Sequence, residues 1–300
     1  MAHAEVPPPP YGFKKPPAQC LESPYPTFDG PSAEEVWLVV RLLSDLHGSP
    51  TRGDAVVPVL DSLVRTILSQ NTTDKNSRAA FLSLKASLPT WRQVYCAHGT
   101  NKVEEAIKIG GLSEQKGKNI HNILAYLLHS HADKCPGGEP SYDWLREEST
   151  SFIKEELGKH KGVGPKTISC LLMFNLNRDE IPVDTHVHHI AKSLSWVPST
   201  STAESCYAHL NVRVPDAAKY AAHVLLVEHG KRCPRCARGA LQLPQEGPCP
   251  LLGLKGKLRA LHSGAGARDA ANECKEEAED ATRPAKLAKL AKKRKLQHML

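Results

Sequence analysis

The sequence predicts an all-α fold, and two observations support this prediction. Apolar residues recur at the spacing of an amphipathic helix in several separate segments. The clearest stripes are Leu60, Leu63, Val64, Ile67 and Leu68; Ile120, Ile123, Leu124, Leu127 and Leu128; and Ile168, Leu171, Leu172 and Leu176. No segment alternates apolar and polar residues convincingly with the period of two that a half-buried strand requires. We therefore expect roughly ten helices joined by short loops, with each stripe packed in a core.

The two ends of the chain differ in composition from this helical body. Residues 1–30 contain eight prolines, a density that blocks helix and sheet and predicts a disordered lead. An N-terminal helix is predicted within residues 31–54, because Ser32 and Glu35 form a capping box. Behind it, Val36, Val39, Val40 and Leu43 repeat at helical spacing. Residues 254–300 turn small, polar and then basic, which predicts a flexible linker and tail.

The overall composition excludes several classes of protein. The chain has 300 residues, of which 40% are hydrophobic and 24% are charged, as in an ordinary globular protein. No apolar run approaches the roughly 18 residues of a transmembrane helix, so we expect no membrane partner. No secretory signal is visible, and the nine cysteines are therefore expected to be reduced.

The net charge of +7 comes from the C-terminal tail. Residues 281–300 carry seven Lys and Arg residues and no acidic residue, so the rest of the chain is neutral. A nucleic acid would therefore have to bind the body through a local face. The run Ala291–Lys295 is typical of a nuclear import signal and predicts a nuclear location; a solvated tail that clings to DNA is the alternative.

The most informative motif is the stretch His160–Thr167, which reads HKGVGPKT. Two glycines allow a tight turn between helices, and Pro165 suits the first position of the second helix. The free N–H groups at the start of that helix would form a site for an anion such as a phosphate. A purely structural helix–helix turn is the alternative, and the Gly-x-Gly pattern alone favours it.

Lys166 and Asp184 favour a chemical role for this motif. Lys166 is predicted in the first turn of its helix, where the helix dipole disfavours an ammonium ion and favours the neutral amine. A neutral lysine is a nucleophile that forms Schiff bases. Asp184 follows Pro182 and is predicted to cap the next helix as an ionised carboxylate. It could take the lysine proton or stabilise a nearby cation.

These residues carry a resemblance to a known family. Gly162–Thr167 followed by Pro182–Val187 resembles the helix-hairpin-helix, Gly/Pro…Asp (HhH-GPD) DNA glycosylases, most closely the endonuclease III branch. The 18-residue separation between Lys166 and Asp184 matches that branch. Phrases such as Ile181–Thr185 and Ser195–Pro198 are also similar to the plant 5-methylcytosine glycosylases. The resemblance covers about residues 55–252.

The resemblance implies a two-domain helix-hairpin-helix DNA glycosylase fold with its active-site cleft between the domains. The first domain would be a helical barrel over residues 55–165. Residues 166–253 would form a second helical domain with a cysteine-containing loop. The helix predicted within residues 31–54 would pack against this second domain.

The family's functional residues map onto this chain as follows. Lys166 and Asp184 would be catalytic. The segment Ile67–Asp74 resembles the part of the family that faces DNA at the flipped base, with Asn71 at the wedge position. The expected DNA-binding residues are Gly162, Val163, Gly164, Lys161, Thr167, Gln70, Asn71 and His186. His160 and Lys161 depart from the apolar residue and proline of bacterial members, and Lys161 could add a phosphate contact.

The resemblance and the residue chemistry together imply a reaction on duplex DNA that contains a damaged or modified base. The base would be flipped out, Lys166 would attack the sugar, and the resulting Schiff base would lead to strand cleavage by β-elimination. One alternative is a monofunctional glycosylase in which Asp184 activates water. A non-catalytic DNA-binding protein is the other. We expect a monomer.

The cysteines near the C-terminus depart most from the family. Members with an iron–sulfur cluster have four cysteines with gaps of six, two and five residues, but here Cys233-x2-Cys236 is followed by a gap of twelve to Cys249. Leu226 stands where the first cysteine would be. Three thiolates do not complete a four-cysteine site, so the sequence favours no metal. An iron–sulfur cluster remains an alternative, as does zinc held by Cys233, Cys236, Cys249 and His229.

Overall fold

The structure is a computed structural model that describes residues 22–53, 56–237 and 247–254. The described residues form eleven α-helices and no strand, which confirms the all-α prediction. The helices are α1 (Ala33–His47), α2 (Val59–Ser69), α3 (Asp74–Ser87), α4 (Trp91–Cys96), α5 (Lys102–Ile107), α6 (Ser113–Ser130), α7 (Thr150–Gly158), α8 (Pro165–Phe174), α9 (Thr185–Ser193), α10 (Ala203–Arg213) and α11 (Asp216–Arg232). Short 3₁₀ turns lie at Lys108–Gly110, Ala132–Lys134, Pro136–Gly138 and Asp143–Glu147. Within the described ranges, every helix is too short or too polar to cross a bilayer.

Short polar side chains mark where several helices begin. The Ser32 hydroxyl accepts the Glu35 N–H at 3.3 Å, and the Glu35 carboxylate accepts the Ser32 N–H at 3.0 Å. This is the capping box predicted from the sequence, and it satisfies two N–H groups that a helix leaves unpaired. Side-chain caps of the same kind start α3, α4, α7 and α10; they are Thr73, Thr90, Ser149 and Thr202.

The described helices pack into two hydrophobic cores. The first core is built from α2 to α8 and contains the predicted stripes of α2, α6 and α8. The second core combines α1 with α9, α10 and α11, and the fully buried Trp196 lies in it. In α1, all four residues of the predicted apolar stripe are buried in this second core. The N-terminal helix therefore crosses back to pack with the C-terminal part of the chain, chiefly on α11.

Helix α8 belongs to the first core, which corrects the boundary expected at residue 165. Ile168, Leu171 and Leu172 are buried together with residues of α2 and α7. The tight turn before α8 keeps it beside α7, so its apolar stripe cannot leave the core that α7 helps to build. The change from one core to the other falls between Leu176 and Ile181 instead.

Residues 22–30 also differ from expectation, because they lie against the second core and are not part of a disordered lead. The Tyr25 hydroxyl donates to Ser205 Oγ at 2.6 Å, and Ser23 Oγ lies 2.6 Å from His209 Nδ1. The His209 ring also bonds the Gly30 carbonyl and meets the Tyr25 ring edge-on. Aromatic and hydroxyl groups thus order this proline-rich segment. Residues 1–21 and the tail from residue 255 lie outside the described residues.

The segment that joins α8 to α9 is bonded on two sides: its own Arg178 reaches the chain before α7, and Asn211 of α10 reaches its Ile181. Arg178 donates from Nη2 to the carbonyls of Arg146 and Glu148 at 2.9 and 3.0 Å. From α10, the Asn211 side chain pairs with both the N–H and the carbonyl of Ile181, at 2.9 and 3.1 Å. These bonds satisfy backbone groups between the cores and fix how α9 follows α8.

Candidate active site

Asp184 caps α9, as the sequence predicts. Its Oδ1 accepts the N–H groups of His186 and Val187 at 2.9 and 2.8 Å. The residues before it are extended and buried, and the Pro182 carbonyl lies 2.9 Å from Nδ1 of His223 on α11. Since both cap bonds fall on Oδ1, the second carboxylate oxygen remains available for another partner. The side chain is partly buried, at the N-terminal end of its helix.

Lys166 is the second residue of α8, directly after Pro165 at the first helical position. Its side chain is exposed. The partly buried Cys170 and the buried His223 both feel the charges of Lys166 and Asp184, which indicates that the two residues lie in one region. Burial raises the pKa of Cys170 to about 11, with Lys166 acting to lower it and Asp184 to raise it further. Burial lowers the pKa of His223, where Asp184 and Lys166 again act with opposite signs.

The hairpin before α8 uses its two glycines in different ways. Gly162 has a φ of +84°, and a Cβ there would lie 2.3 Å from Nδ2 of Asn119. Gly162 is therefore required by both backbone conformation and close packing. Gly164 has an extended backbone, and a Cβ there would meet no atom within 4 Å. The open side of the turn is thus at Gly164, where α8 starts without a side-chain cap.

Several expected DNA-binding residues turn out to hold the hairpin together. Val163 is buried, and its N–H donates to the His160 carbonyl at 3.1 Å. Gln70 donates from Nε2 to the Gly162 carbonyl at 2.8 Å and to Thr167 Oγ1 at 3.3 Å. Thr167 itself is buried. The side chains of Gln70 and Thr167 thus tie the end of α2 to the start of α8, while Val163 packs in the first core.

Asn71 and Lys161, like the two hairpin glycines, are expected contact residues that are exposed. Asn71 follows Gln70 with a φ of +54°, a left-handed conformation that asparagine tolerates better than most residues. This conformation turns the chain between α2 and α3 beside the hairpin. The wedge position predicted for Asn71 is therefore at the surface, while Gln70 is held inward.

His186 lies between α9 and α11 and is only partly exposed. A Cβ added to Gly230 on α11 would lie 2.6 Å from the His186 Cβ, so the glycine makes room for the histidine. The Nδ1 atom of His186 is buried and has no hydrogen-bond partner among the described residues. The structure thus brings His186 next to Asp184 through the α9 turn, but with its ring packed against α11.

Sequence reasoning missed the roles of Lys116 and His223. Lys116 is 3% exposed and donates from Nζ to the carbonyls of Leu68 and Gly110 at 2.8 and 2.9 Å. Burial lowers the pKa of Lys116, and the two carbonyls replace its lost water. It closes the C-terminal end of α2, just before Gln70. The residues next to Lys116 in the sequence resemble those around a surface lysine, so local sequence does not show that Lys116 is buried and bonded to carbonyls.

A cavity of about 500 Å³ opens beside α8. Cys170 and Phe174 contribute to its wall, and they follow Lys166 at intervals of four residues. Residues four apart share one face of a helix, so the lysine and the cavity wall lie on the same face of α8. The remaining wall comes chiefly from the turn before α2, α2 itself and the end of α8; its residues include Arg52, Val57, Ser62, Thr66 and Asn177.

The structure also assembles a metal-ligand set that the sequence did not favour. The ligand atoms of His229, Cys233, Cys236 and Cys249 all lie within 4.8 Å of one another, and all four residues are buried. Although twelve residues separate Cys236 from Cys249, the Cys249 sulfur lies beside those of Cys233 and Cys236. His229 supplies the fourth donor, one helical turn before Cys233.

Two helical cores, with Lys166 after a Gly-x-Gly hairpin at the start of a helix in one and Asp184 capping a helix of the other, are typical of a helix-hairpin-helix DNA glycosylase fold. The family model described as the HhH-GPD superfamily of base excision DNA repair proteins matches residues 64–216. This chain therefore belongs to the HhH-GPD superfamily.

Relatives and solved structures agree with this membership. The chain is 40% identical to the Arabidopsis thaliana protein At3g47830, a DNA glycosylase by its name, with 77% of this chain and 88% of the relative covered. It is 32% identical to the DNA glycosylase/AP lyase ROS1 of the same plant, over 40% of this chain and 8% of ROS1. The solved structure of a non-covalent endonuclease III–DNA complex has the same fold, with a TM-score of 0.59, 23% identity and coverage of 77% of this chain and 99% of that one.

The two glycines of the hairpin give a matched test of this geometry. Gly162→Ala should destabilise the protein by about 1–3 kcal/mol, because it forces a left-handed alanine against Asn119. Gly164→Ala should change the free energy of unfolding by less than about 0.5 kcal/mol, since its backbone is extended and its side is open. Urea unfolding of both variants measures the difference, and equal losses would contradict the arrangement described.

Proposed function

We propose that this member of the base-excision DNA glycosylase family is bifunctional, removing a damaged or modified base and then cleaving the strand as an AP lyase. The observation that carries the proposal is the placement of Lys166 and Asp184 at the starts of two successive helices, α8 in the first core and α9 in the second. A phosphate grip alone needs neither the lysine nor the carboxylate across the cleft. The name of ROS1, a DNA glycosylase/AP lyase, supports the same chemistry.

Chemistry would begin with proton transfer, because only the neutral amine of Lys166 is nucleophilic. Asp184 can take this proton on the oxygen that does not cap α9. The amine then attacks C1′ of the flipped nucleotide, and the base leaves with the electrons of the glycosidic bond. Opening of the sugar ring gives a protonated Schiff base between Lys166 and C1′. Loss of a proton from C2′ then expels the 3′ phosphate, which is the β-elimination that nicks the strand.

DNA would be held at the open side of the hairpin. The first N–H groups of α8 have no side-chain cap, and the helix dipole favours an anion at this end. Gly164 leaves room for a phosphate to approach these groups. Exposed Lys161 lies on the same turn and adds positive charge. Asn71 would fill the space of the extruded base, while Gln70 and Thr167 support the hairpin from inside.

The flipped base would enter the cavity beside Cys170 and Phe174. This cavity lies on the same face of α8 as Lys166, so a base inside it keeps its sugar near the amine. Its volume of about 500 Å³ accommodates a purine or a pyrimidine, and polar groups such as Ser62 and Thr66 could bond a base edge. A panel of duplexes, each with one modified base, would identify the substrate.

We also infer a nuclear monomer. The basic run at residues 291–295 supports nuclear import but lies outside the described residues. Fusion of residues 281–300 to a reporter protein tests import, and a cytoplasmic reporter would contradict it. Sedimentation of the purified chain tests the monomer.

The nucleophile can be tested by covalent trapping. Borohydride should reduce the Schiff base and trap the protein on an abasic duplex, and Lys166→Gln should abolish this adduct. Lys161→Gln is the matched control, because it removes an exposed lysine of the same hairpin and should keep the adduct at saturating DNA. A full-strength adduct with Lys166→Gln would exclude the proposed role, and base release by that variant without an adduct would favour the water-activating mechanism.

The grip on DNA can be tested separately from the chemistry. Gly164→Val should weaken binding to damaged and undamaged duplexes alike, by about 1–3 kcal/mol, because phosphate contacts carry no sequence information. Deletion of residues 283–300 should instead flatten the salt dependence of binding and leave base release on saturating DNA intact. The DNA-docking role would fail if Gly164→Val kept full affinity while the deletion abolished base release.

The base cavity predicts a variant that separates the two steps of the reaction. Cys170→Leu should narrow the cavity and slow single-turnover base release by about tenfold or more. Borohydride trapping on an abasic duplex should be unchanged, because that substrate has no base to place. Cys96→Leu, at an exposed cysteine outside the cavity, is the control. Equal effects of Cys170→Leu on both substrates would locate the base elsewhere.

A further inference from the structure

The cluster of His229, Cys233, Cys236 and Cys249 has the dimensions of a tetrahedral metal site. The sulfur atoms of Cys236 and Cys249 are 3.7 Å apart, and Cys249 Sγ lies 3.5 Å from His229 Nε2. With Zn–S bonds of about 2.3 Å and Zn–N bonds of about 2.0 Å, a regular tetrahedron places two sulfurs about 3.8 Å apart and a sulfur and nitrogen about 3.5 Å apart. Both observed distances match a single zinc ion at the centre.

The iron–sulfur cluster that the family resemblance implies does not fit these residues. A four-iron cluster stands between its ligands and keeps their sulfur atoms roughly 6 Å apart. All four donor atoms here lie within 4.8 Å of one another. The first family cysteine is also replaced by Leu226, which is fully buried in the second core and offers no ligand.

The local backbone presents the donors as a compact knuckle at the end of α11. Cys233 follows the last helical residue, and its carbonyl accepts the N–H groups of Cys236 and Ala237 at 3.1 and 2.9 Å. This turn brings Cys236 back toward His229. A disulfide between Cys236 and Cys249 would explain only two of the four buried donors, and their 3.7 Å separation exceeds the covalent length of about 2.05 Å.

A neighbouring histidine fixes the ring of His229. His47, the last residue of α1, lies with Nε2 3.0 Å from Nδ1 of His229. When Nδ1 of His229 carries the proton and donates to His47, its Nε2 lone pair is free to bind a metal. A partner on the second ring nitrogen is a common feature of metal-bound histidines.

We infer that His229, Cys233, Cys236 and Cys249 bind one Zn²⁺ ion as a closed structural site, in place of an iron–sulfur cluster. Four protein ligands complete the tetrahedron and leave no open position for substrate, which is typical of structural zinc. The site joins α1 to the end of α11, the helix that also carries His223 against Pro182 and Gly230 against His186. Bound zinc would therefore hold in place α11, the helix that packs on the residues either side of Asp184.

Metal analysis of the full-length protein, expressed with iron and zinc both supplied, tests the inference. We expect about one zinc per chain, no acid-labile sulfide and no broad absorbance near roughly 400 nm. Replacement by Co²⁺ should give the intense visible d–d bands of a tetrahedral site and thiolate-to-cobalt charge transfer. Stoichiometric iron with sulfide would overturn the inference. A metal-free protein would also overturn it if alkylation or disulfide mapping showed Cys233, Cys236 and Cys249 to be free thiols or disulfide-bonded.

Variants distinguish ligands from merely buried residues. Cys236→Ser and His229→Ala should lose zinc, whereas His229→Cys should retain it because a thiolate can replace the imidazole. Cys206→Ser is the matched control, since Cys206 is equally buried in the second core but outside the cluster. His47→Ala should weaken zinc affinity about 10–100-fold, as expected for a positioning residue. Full zinc content in both Cys236→Ser and His229→Ala would exclude the site.

Discussion

The proposed active site depends on one constraint: Lys166 and Asp184 are carried by helices that belong to different hydrophobic cores. α8 is buried with α2 and α7, whereas α9 is buried with α1 and α11. In the proposed mechanism the cleft would be the seam between the cores, and the segment between Leu176 and Asp184 would set its width. Arg178 within this segment and Asn211 from α10 make the bonds that fix its path, and this path places the start of α9, with Asp184, relative to α8.

In the proposed reaction, helix ends would supply most of the chemistry. Capping makes Asp184 part of the helix that it starts, so its position is as rigid as the backbone of α9. The start of α8 is left without a side-chain cap, which leaves donors for an outside anion. The Asp184 side chain thus accepts two of the first N–H groups of α9, whereas the first N–H groups of α8 would bind a DNA phosphate in the proposed complex.

α11 connects this seam to the metal-ligand cluster. His223 bonds the Pro182 carbonyl just before Asp184, and two turns later His229 meets Cys249 and His47. The family resemblance implies that members with four cysteines hold an iron–sulfur cluster at this end of the chain. A smaller tetrahedral site can give the same support here, because support requires only that α1 and the end of α11 be held together.

The sequence alone determined the helices and the caps and proposed Lys166 and Asp184 as a catalytic pair, because these inferences depend on residues close in the chain. Apolar spacing located the stripes of α2, α6 and α8, and Ser32 and Asp184 were found as caps from their neighbours alone. The family resemblance then assigned the fold and the proposed chemistry. It also identified the hairpin, although the separate roles of Gly162 and Gly164 depend on whether Asn119 or open space faces each glycine.

Only the tertiary structure decided which residues share a core, a bond or a ligand set. Gln70 and Thr167 look like exposed contact residues in the sequence, but they pair with each other across 97 positions. The boundary after α8, the docking of residues 22–30 on His209 and the approach of Cys249 to His229 are likewise long-range contacts. Local patterns carry no information about such contacts, because the free energy of packing depends on the final positions of both partners. For that reason three cysteines with irregular spacing predicted no metal, whereas the folded chain supplies four donors around one point.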